Sequence, residues 1–356
     1  GAGSPAEINL RAGDIANMGF ATSAGVPVVL VGDIDRGGVI ASVVGTHTIL
    51  PDDDRAMIAA YLINKFRGDV SLFDDGITSI GGFTGWSCLG VVPWLKSAAR
   101  LPAEDSVALE RLVRGEARGL KIAVPVLSRI ANFDDFDPLR AEPEVELVFV
   151  RPGERLPGDA GLVILPGSKS TISDLADFRR QGWDADLEAH RRRGGRIIGI
   201  CGGLQMLGRM VRDPQGVEGG ETATEGLGFL DIETEMAPEK TVRNISARSA
   251  EYDVALSGYE IHLGVSKGAD AVRPMTILDG RPDGAMSPDG RVSGTYLHGL
   301  FDSDEYRARL LAEFGIRGGE SNYRADVDRA LDEIAEELDR LVGFKQLMRI
   351  SAPIGR

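Results

Sequence analysis

The chain reads as α/β, with two parallel-sheet domains in succession, and three observations predict it. Short apolar runs recur, each stopping at a turn marked by glycine or proline and leading into helical spacing. The runs are near-continuous rather than alternating, as strands covered on both faces are. A polar, charged stretch at 102–118 splits the runs into two series, and 356 residues suffice for about two domains.

The first series has runs at 26–31, 57–64 and 89–92. They end in Gly32-Asp33-Ile34-Asp35-Arg36-Gly37-Gly38, in Lys65-Phe66-Arg67-Gly68 and at Pro93. The second series has candidate strands at 121–127, 145–150, 161–165, 196–200 and near 292–297. Helical spacing marks 170–193 and 204–211. One amphipathic helix is expected over 326–347, with Val327, Leu331, Ile334, Leu338 and Leu341 on a stripe.

Acidic residues outnumber basic ones 54 to 40, for a net charge of −14, which argues against general nucleic-acid binding. No run approaches the ~18 apolar residues of a membrane span, and no signal peptide or membrane contact is expected. Two cysteines are no disulfide framework. A cytoplasmic enzyme is the expectation.

The chemistry concentrates in Arg196-Ile197-Ile198-Gly199-Ile200-Cys201-Gly202-Gly203-Leu204-Gln205. An apolar strand ends, a cysteine sits at the turn, glycines follow and a helix begins. Small neighbours permit a sharp turn that projects one side chain, and a helix N-terminus favours the thiolate. A lone cysteine is most often a packed one; the strand–turn–helix context makes Cys201 a nucleophile, with the Gly202 N–H as an oxyanion donor.

This Gly-x-Cys-x-Gly-x-Gln turn resembles that of the class I glutamine amidotransferases, which have a flavodoxin-like fold. The resemblance assigns Cys201 and His298 as nucleophile and base, and Gly167, Gly202 and Gln205 to the oxyanion and glutamine. Many members carry a glutamate two positions after the histidine; here that position is Leu300, so a Cys–His dyad or another orienting group is implied.

A narrower resemblance, to the cobyric acid synthase family, spans nearly the whole chain. It rests on the opening 1–10 segment, 33–38, 63–68, Gly90-Val91-Val92-Pro93-Trp94, Ile130-Ala131-Asn132-Phe133-Asp134-Asp135-Phe136-Asp137-Pro138-Leu139, Leu165-Pro166-Gly167-Ser168-Lys169-Ser170-Thr171 and Gly258-Tyr259-Glu260-Ile261-His262. It implies glutamine- and ATP-dependent amidation of corrinoid carboxylates, those at b, d, e and g of adenosylcobyrinic acid a,c-diamide, in cobalamin biosynthesis. It also implies a dethiobiotin-synthetase-like domain, of which 1–115 would be the latter part, with the phosphate loop missing by N-terminal truncation. An amidotransferase domain at 119–315 and a helical segment at 316–356 would follow. ATP and Mg²⁺ are the implied cofactors, glutamine and a corrinoid the implied partners.

These segments have readings of their own. Asp33 and Asp35, past a strand's end, are placed to hold Mg²⁺ on a nucleotide, or are solvated turn residues. Asn64 could read a purine edge or simply end a strand. The 165–171 loop lacks adjacent Gly-Lys and fails the phosphate-loop pattern. No metal is expected in the amidotransferase domain; His262 with Glu260 lacks a third ligand nearby in sequence. His190, between Ala189 and three arginines, reads as an exposed helical residue; Cys88 reads as packed beside Trp86 and Leu89. Rival readings are a corrinoid a,c-diamide synthase, a cell-wall amidotransferase, a silent binding protein on the same fold, and a nucleotide switch, which would need the phosphate loop.

Overall fold

The computed structural model describes residues 3–102, 119–318 and 322–351. The expected linker falls, apart from Pro102, outside the described residues, as does the boundary placed between 115 and 119. Two units divide the chain: one runs to Leu101 and resumes at Val327, the other spans Pro102–Asp326.

The first unit is built on three parallel strands, Val28–Asp33, Ile58–Phe66 and Ser87–Pro93, side by side in that order. One face packs Tyr61 and Ile63 against Met18, Val39 and Ile80. On the other, Ala60, Leu89 and Val92 meet Leu341, Val342, Leu347 and Ile350 from the C-terminal helices. Apolar cover on both faces is what the continuous runs require. The expected single helix over 326–347 is two, Tyr323–Leu341 and Phe344–Ile350. Gly343 breaks it by adopting φ 76°, a left-handed conformation that glycine enters without a Cβ penalty. Of the expected stripe, Leu331 and Leu338 stay exposed, and Ala330 takes the buried position.

The second unit holds a six-stranded sheet. In spatial order its strands are Ala285–Met286, Val292–Thr295, Arg196–Ile200, Leu162–Leu165, Leu120–Pro125 and Val145–Val150. All neighbours are parallel except the first pair. Counting the five parallel strands along the chain from Leu120–Pro125, the spatial order is 2-1-3-4-5, the flavodoxin-like arrangement. Every residue of Leu162–Leu165, Arg196–Ile200 and Val292–Thr295 is buried. The region of helical spacing at 170–193 is two helices, Thr171–Arg180 and Trp183–Arg192, separated at Gly182 with φ 76°. The helix expected over 204–211 is Gly202–Leu207, after which the chain turns into a strand, Met210–Arg212.

Two further sheets are built mainly from 210–283. A five-stranded antiparallel sheet runs Arg281–Asp283, Thr276–Leu278, Thr241–Ser249, Ala255–His262, Leu297–His298. A four-stranded one contains Met210–Arg212 and Glu233–Glu235. The sequence reading placed no strands there.

Ligands of such a sheet bind beyond the carboxyl ends of its strands, where the order reverses. Here the reversal lies between Leu120–Pro125 and Leu162–Leu165. The loops that follow these two strands pair with each other, Ile130 opposite Ser168 and Ala131 opposite Gly167.

Candidate active site

Cys201 follows the fully buried strand Arg196–Ile200 and precedes the helix Gly202–Leu207, with φ 51° and ψ −109°. A non-glycine residue at positive φ is strained and persists only where its surroundings over-determine it. The surroundings here are glycines: a Cβ on Gly199 would lie 2.6 Å from the Gly203 carbonyl carbon, and one on Gly203 2.2 Å from the Leu165 oxygen. The thiol is 8% exposed and donates to the Ile261 carbonyl at 3.5 Å.

His298 comes from another sheet. It ends the strand Leu297–His298, opposite Tyr259, and is 1% exposed. Its Nδ1 lies 2.7 Å from Oδ2 of Asp135, whose other oxygen accepts the Gly299 N–H at 2.8 Å. The Tyr259 ring stacks on the imidazole with centroids 5.1 Å apart, and the Asn132 amide donates to the Tyr259 hydroxyl at 2.6 Å. Nε2 is buried without a hydrogen-bond partner among the described residues. Burial opposes a charged ring, but the charge and hydrogen bond of Asp135, reinforced by Cys201, outweigh it and raise the His298 pKa well above the ordinary histidine value.

The orienting group that Leu300 cannot supply is therefore Asp135, 163 residues away in sequence. Leu300 itself is 1% exposed and belongs to the core. The segment with Asp135 is clamped to the histidine loop by Arg307, which donates to Glu142 at 2.8 Å and to the Phe301 carbonyl at 2.7 Å.

Gly167 sits between these parts. A Cβ there would lie 3.2 Å from the Ala131 oxygen and 3.4 Å from His298 Cε1, and a Cβ on Gly202 would lie 2.8 Å from the Ser168 nitrogen. The Gly167–Ser168 backbone thus packs directly on the turn at Gly202. Gln205 is 2% exposed, and its amide is committed. Nε2 donates to the Leu263 carbonyl at 2.9 Å and to the Tyr296 hydroxyl at 3.2 Å, while Oε1 accepts the Thr171 hydroxyl at 2.7 Å. A cleft of about 360 Å³ opens over Cys201, lined among others by Asn132, Ser168, Lys169, Glu218, Lys240 and His262.

The remaining candidates lie elsewhere. Asp33 and Asp35 follow the strand Val28–Asp33, and Asn64 is opposite Asp33 on the next strand. Lys65 Nζ is 2.7 Å from Asp33 and Arg67 Nε 2.7 Å from Asp35, and Arg67 lies 3.9 Å over the Trp94 ring. The hydrogen bond from Lys65 holds the Asp33 carboxyl below its usual range, and that from Arg67 does the same for Asp35. His262 bonds Glu260 at 2.9 Å, and no group of three or more metal-ligating side chains occurs among the described residues. His190 is not exposed: it is 2% accessible, with Nε2 3.0 Å from the Arg196 carbonyl. Gly195 lets the ring pack where a Cβ would come 2.2 Å from it. Cys88 is half-buried, beside the Gly90 carbonyl at 3.6 Å.

Residues 121–306 match the CobB/CobQ-like glutamine amidotransferase domain. Cobyric acid synthase of Rhizobium johnstonii is 76% identical over 340 residues, which is 96% of this chain and 70% of that protein. The chain belongs to the cobyric acid synthase family. Other members are similarly near. The Rhizobium meliloti enzyme is 74% identical over 342 residues, 96% of this chain and 71% of that one. The Sinorhizobium fredii enzyme is 73% identical over 350 residues, 98% and 72% of the two chains. No helix among the described residues is long and apolar enough to cross a membrane.

Proposed function

We propose that Cys201, His298 and Asp135 form the glutaminase centre of a cobyric acid synthase reaction. By its family the chain is a glutamine-dependent amidotransferase and amide ligase of cobalamin biosynthesis. The observation that carries the site assignment is the buried Asp135–His298 pair, whose imidazole interacts with Cys201.

The chemistry follows from the geometry. Cys201 gives its proton to Nε2 of His298, forming the thiolate in which a cysteine attacks, and the Asp135 carboxylate favours the imidazolium that results. The Cys201 thiolate adds to the side-chain amide carbon of glutamine. Oxyanion charge falls on backbone N–H groups at Gly202 and in the Gly167–Ser168 loop. His298 gives its Nε2 proton to the departing ammonia, leaving a glutamyl thioester, and then takes a proton from the water that hydrolyses it. Asp135 holds Nδ1–H and thereby the tautomer. Gln205, with both amide hydrogens committed, braces the turn instead of following the substrate.

The synthetase role falls to the first unit, and its residues fit the nucleotide that the family implies. Asp33 and Asp35 would hold Mg²⁺, which needs only one or two protein carboxylates beside phosphate oxygens. Lys65 and Arg67, already drawn to these carboxylates, would meet phosphate charge, and Asn64 the base. Bound there, ATP supplies the activation of a corrinoid carboxylate that ammonia then converts to the b, d, e and g amides.

Labelling with a glutamine-analogue electrophile tests the assignment. Cys201→Ala should abolish labelling and Cys88→Ala should preserve it; equal labelling of the two variants would sink the reading.

A further inference from the structure

Asp174 is fully buried, and the chemistry derived above does not use it. It sits in the first turn of the helix Thr171–Arg180, and its partners are a hydroxyl and an amide rather than a cation. Oδ2 accepts the Ser168 hydroxyl at 2.6 Å. The Arg129 N–H is shared between the two carboxylate oxygens, at 3.2 and 3.3 Å. Burying a carboxylate is costly, and two hydrogen bonds with a helix N-terminus offset the cost. The result is a fixed link between the loops that follow Leu120–Pro125 and Leu162–Leu165.

That link decides where one N–H points. The Lys169 N–H donates to the Arg129 carbonyl at 3.0 Å, so residues 129 and 169 form a hydrogen-bonding rung. In an antiparallel ladder such rungs alternate with rungs whose N–H groups face outward. The next rung pairs Ile130 with Ser168, so the Ser168 N–H faces away from Ile130. The Gly202 turn lies against it: a Cβ on Gly202 would stand 2.8 Å from the Ser168 nitrogen. With its hydrogen committed to Asp174, the Ser168 hydroxyl accepts the Ser170 N–H at 3.0 Å. Turning the Ser168 peptide out of this position pulls the hydroxyl off Asp174.

We propose that Asp174 is a positioning residue of the glutaminase reaction. Through the Ser168 hydroxyl it aims the Ser168 N–H at the oxyanion of the tetrahedral intermediate. A donor stabilises that intermediate only where it already meets the developing charge. The proposal rests on reading Cys201 and the Gly167–Ser168 loop as parts of one glutaminase site. An Asp174 that served the helix start alone would affect stability and leave the reaction untouched.

Two reactions of the same thiol separate these roles in the full chain. Glutamine hydrolysis passes through an oxyanion, whereas alkylation by iodoacetamide displaces iodide at a saturated carbon and forms none. Ser168→Ala removes the link with little change of shape, and Asp174→Asn cannot accept from both donors. Each should lower kcat for hydrolysis by about 10- to 100-fold, below the scale of deleting an oxyanion donor. KM should move less than about threefold, and alkylation of Cys201, read by mass spectrometry, less than about twofold. Because Asp174 acts through Ser168, the double variant should be no slower than the slower single one. Unchanged kcat in Ser168→Ala, alkylation that slows in step with kcat, or losses that multiply in the double variant would overturn the positioning role. Cys201→Ala reports on the site itself. Hydrolysis that persists in it removes the site reading and Asp174's role together, whereas an inactive Cys201→Ala beside fully active Asp174→Asn and Ser168→Ala removes the positioning role alone.

Discussion

Carboxylates stand beside cationic side chains in two parts of this molecule, and their surroundings make them different devices. Asp33 and Asp35 sit at open strand ends, where Lys65 and Arg67 hold them 2.7 Å away with side chains 30% to 61% exposed. Asp135 sits 2.7 Å from His298 with both side chains under 5% exposed. The spacing is the same, but water screens the first pairs and not the second. In the open pairs charge can be exchanged for an incoming phosphate or metal. In the closed pair it cannot leave, and the consequence appears on the histidine, whose charged form is retained.

The largest effect should come from the closed pair. Asp135→Asn keeps the shape but removes the charge, so glutamine hydrolysis should fall by about 10²- to 10⁴-fold, the scale on which a triad carboxylate acts. The sign of the pH effect also follows. The carboxylate raises the His298 pKa, so its loss should lower the pH at which the imidazolium deprotonates, read from the Cε1–H resonance as pH rises. In the unsubstituted chain the stability contributed by this pair is complete below the unfolded histidine value and fades as pH rises through the folded one. An unchanged titration in Asp135→Asn would break the contrast between the two regions.

A second test concerns position 300. Leu300→Glu restores the residue many amidotransferases place there, yet Asp135 already occupies Nδ1, so no gain in hydrolysis is expected. The new carboxylate would enter the core, and a loss of about 3 kcal/mol in a urea titration is the expected result. The smallest effect belongs to the open pair. Lys65→Met should barely move the unfolding midpoint while weakening nucleotide binding, measured by calorimetry, because exposed pairs add little to stability.

The proposed nucleophile and base, Cys201 and His298, carry local signals: a Gly-x-Cys-x-Gly-x-Gln turn, and a histidine ending an apolar run. The parallel strands were legible for the same reason, with 145–150 and 196–200 matching to the residue. Asp135 was not, because its role depends on a pairing across 163 residues. A signal did exist in Phe133-Asp134-Asp135-Phe136, where acids lie between aromatics bound for the core and so demand a partner. His190 was misjudged because three arginines suggested solvent, whereas Gly195 opens room for the ring. Most strands between 210 and 283 have three residues, and the two long ones, Thr241–Ser249 and Ala255–His262, alternate poorly in burial, so period-2 spacing gives no purchase.

The stretch from Ile130 to Asp135 pairs with Gly167–Ser168 at one end, pins Tyr259 through Asn132 in the middle, and anchors His298 at the other. Mechanically it is a single latch shared by the proposed oxyanion loop and the proposed base. If that latch slips, the wall that takes up negative charge and the ring that delivers the proton come apart together.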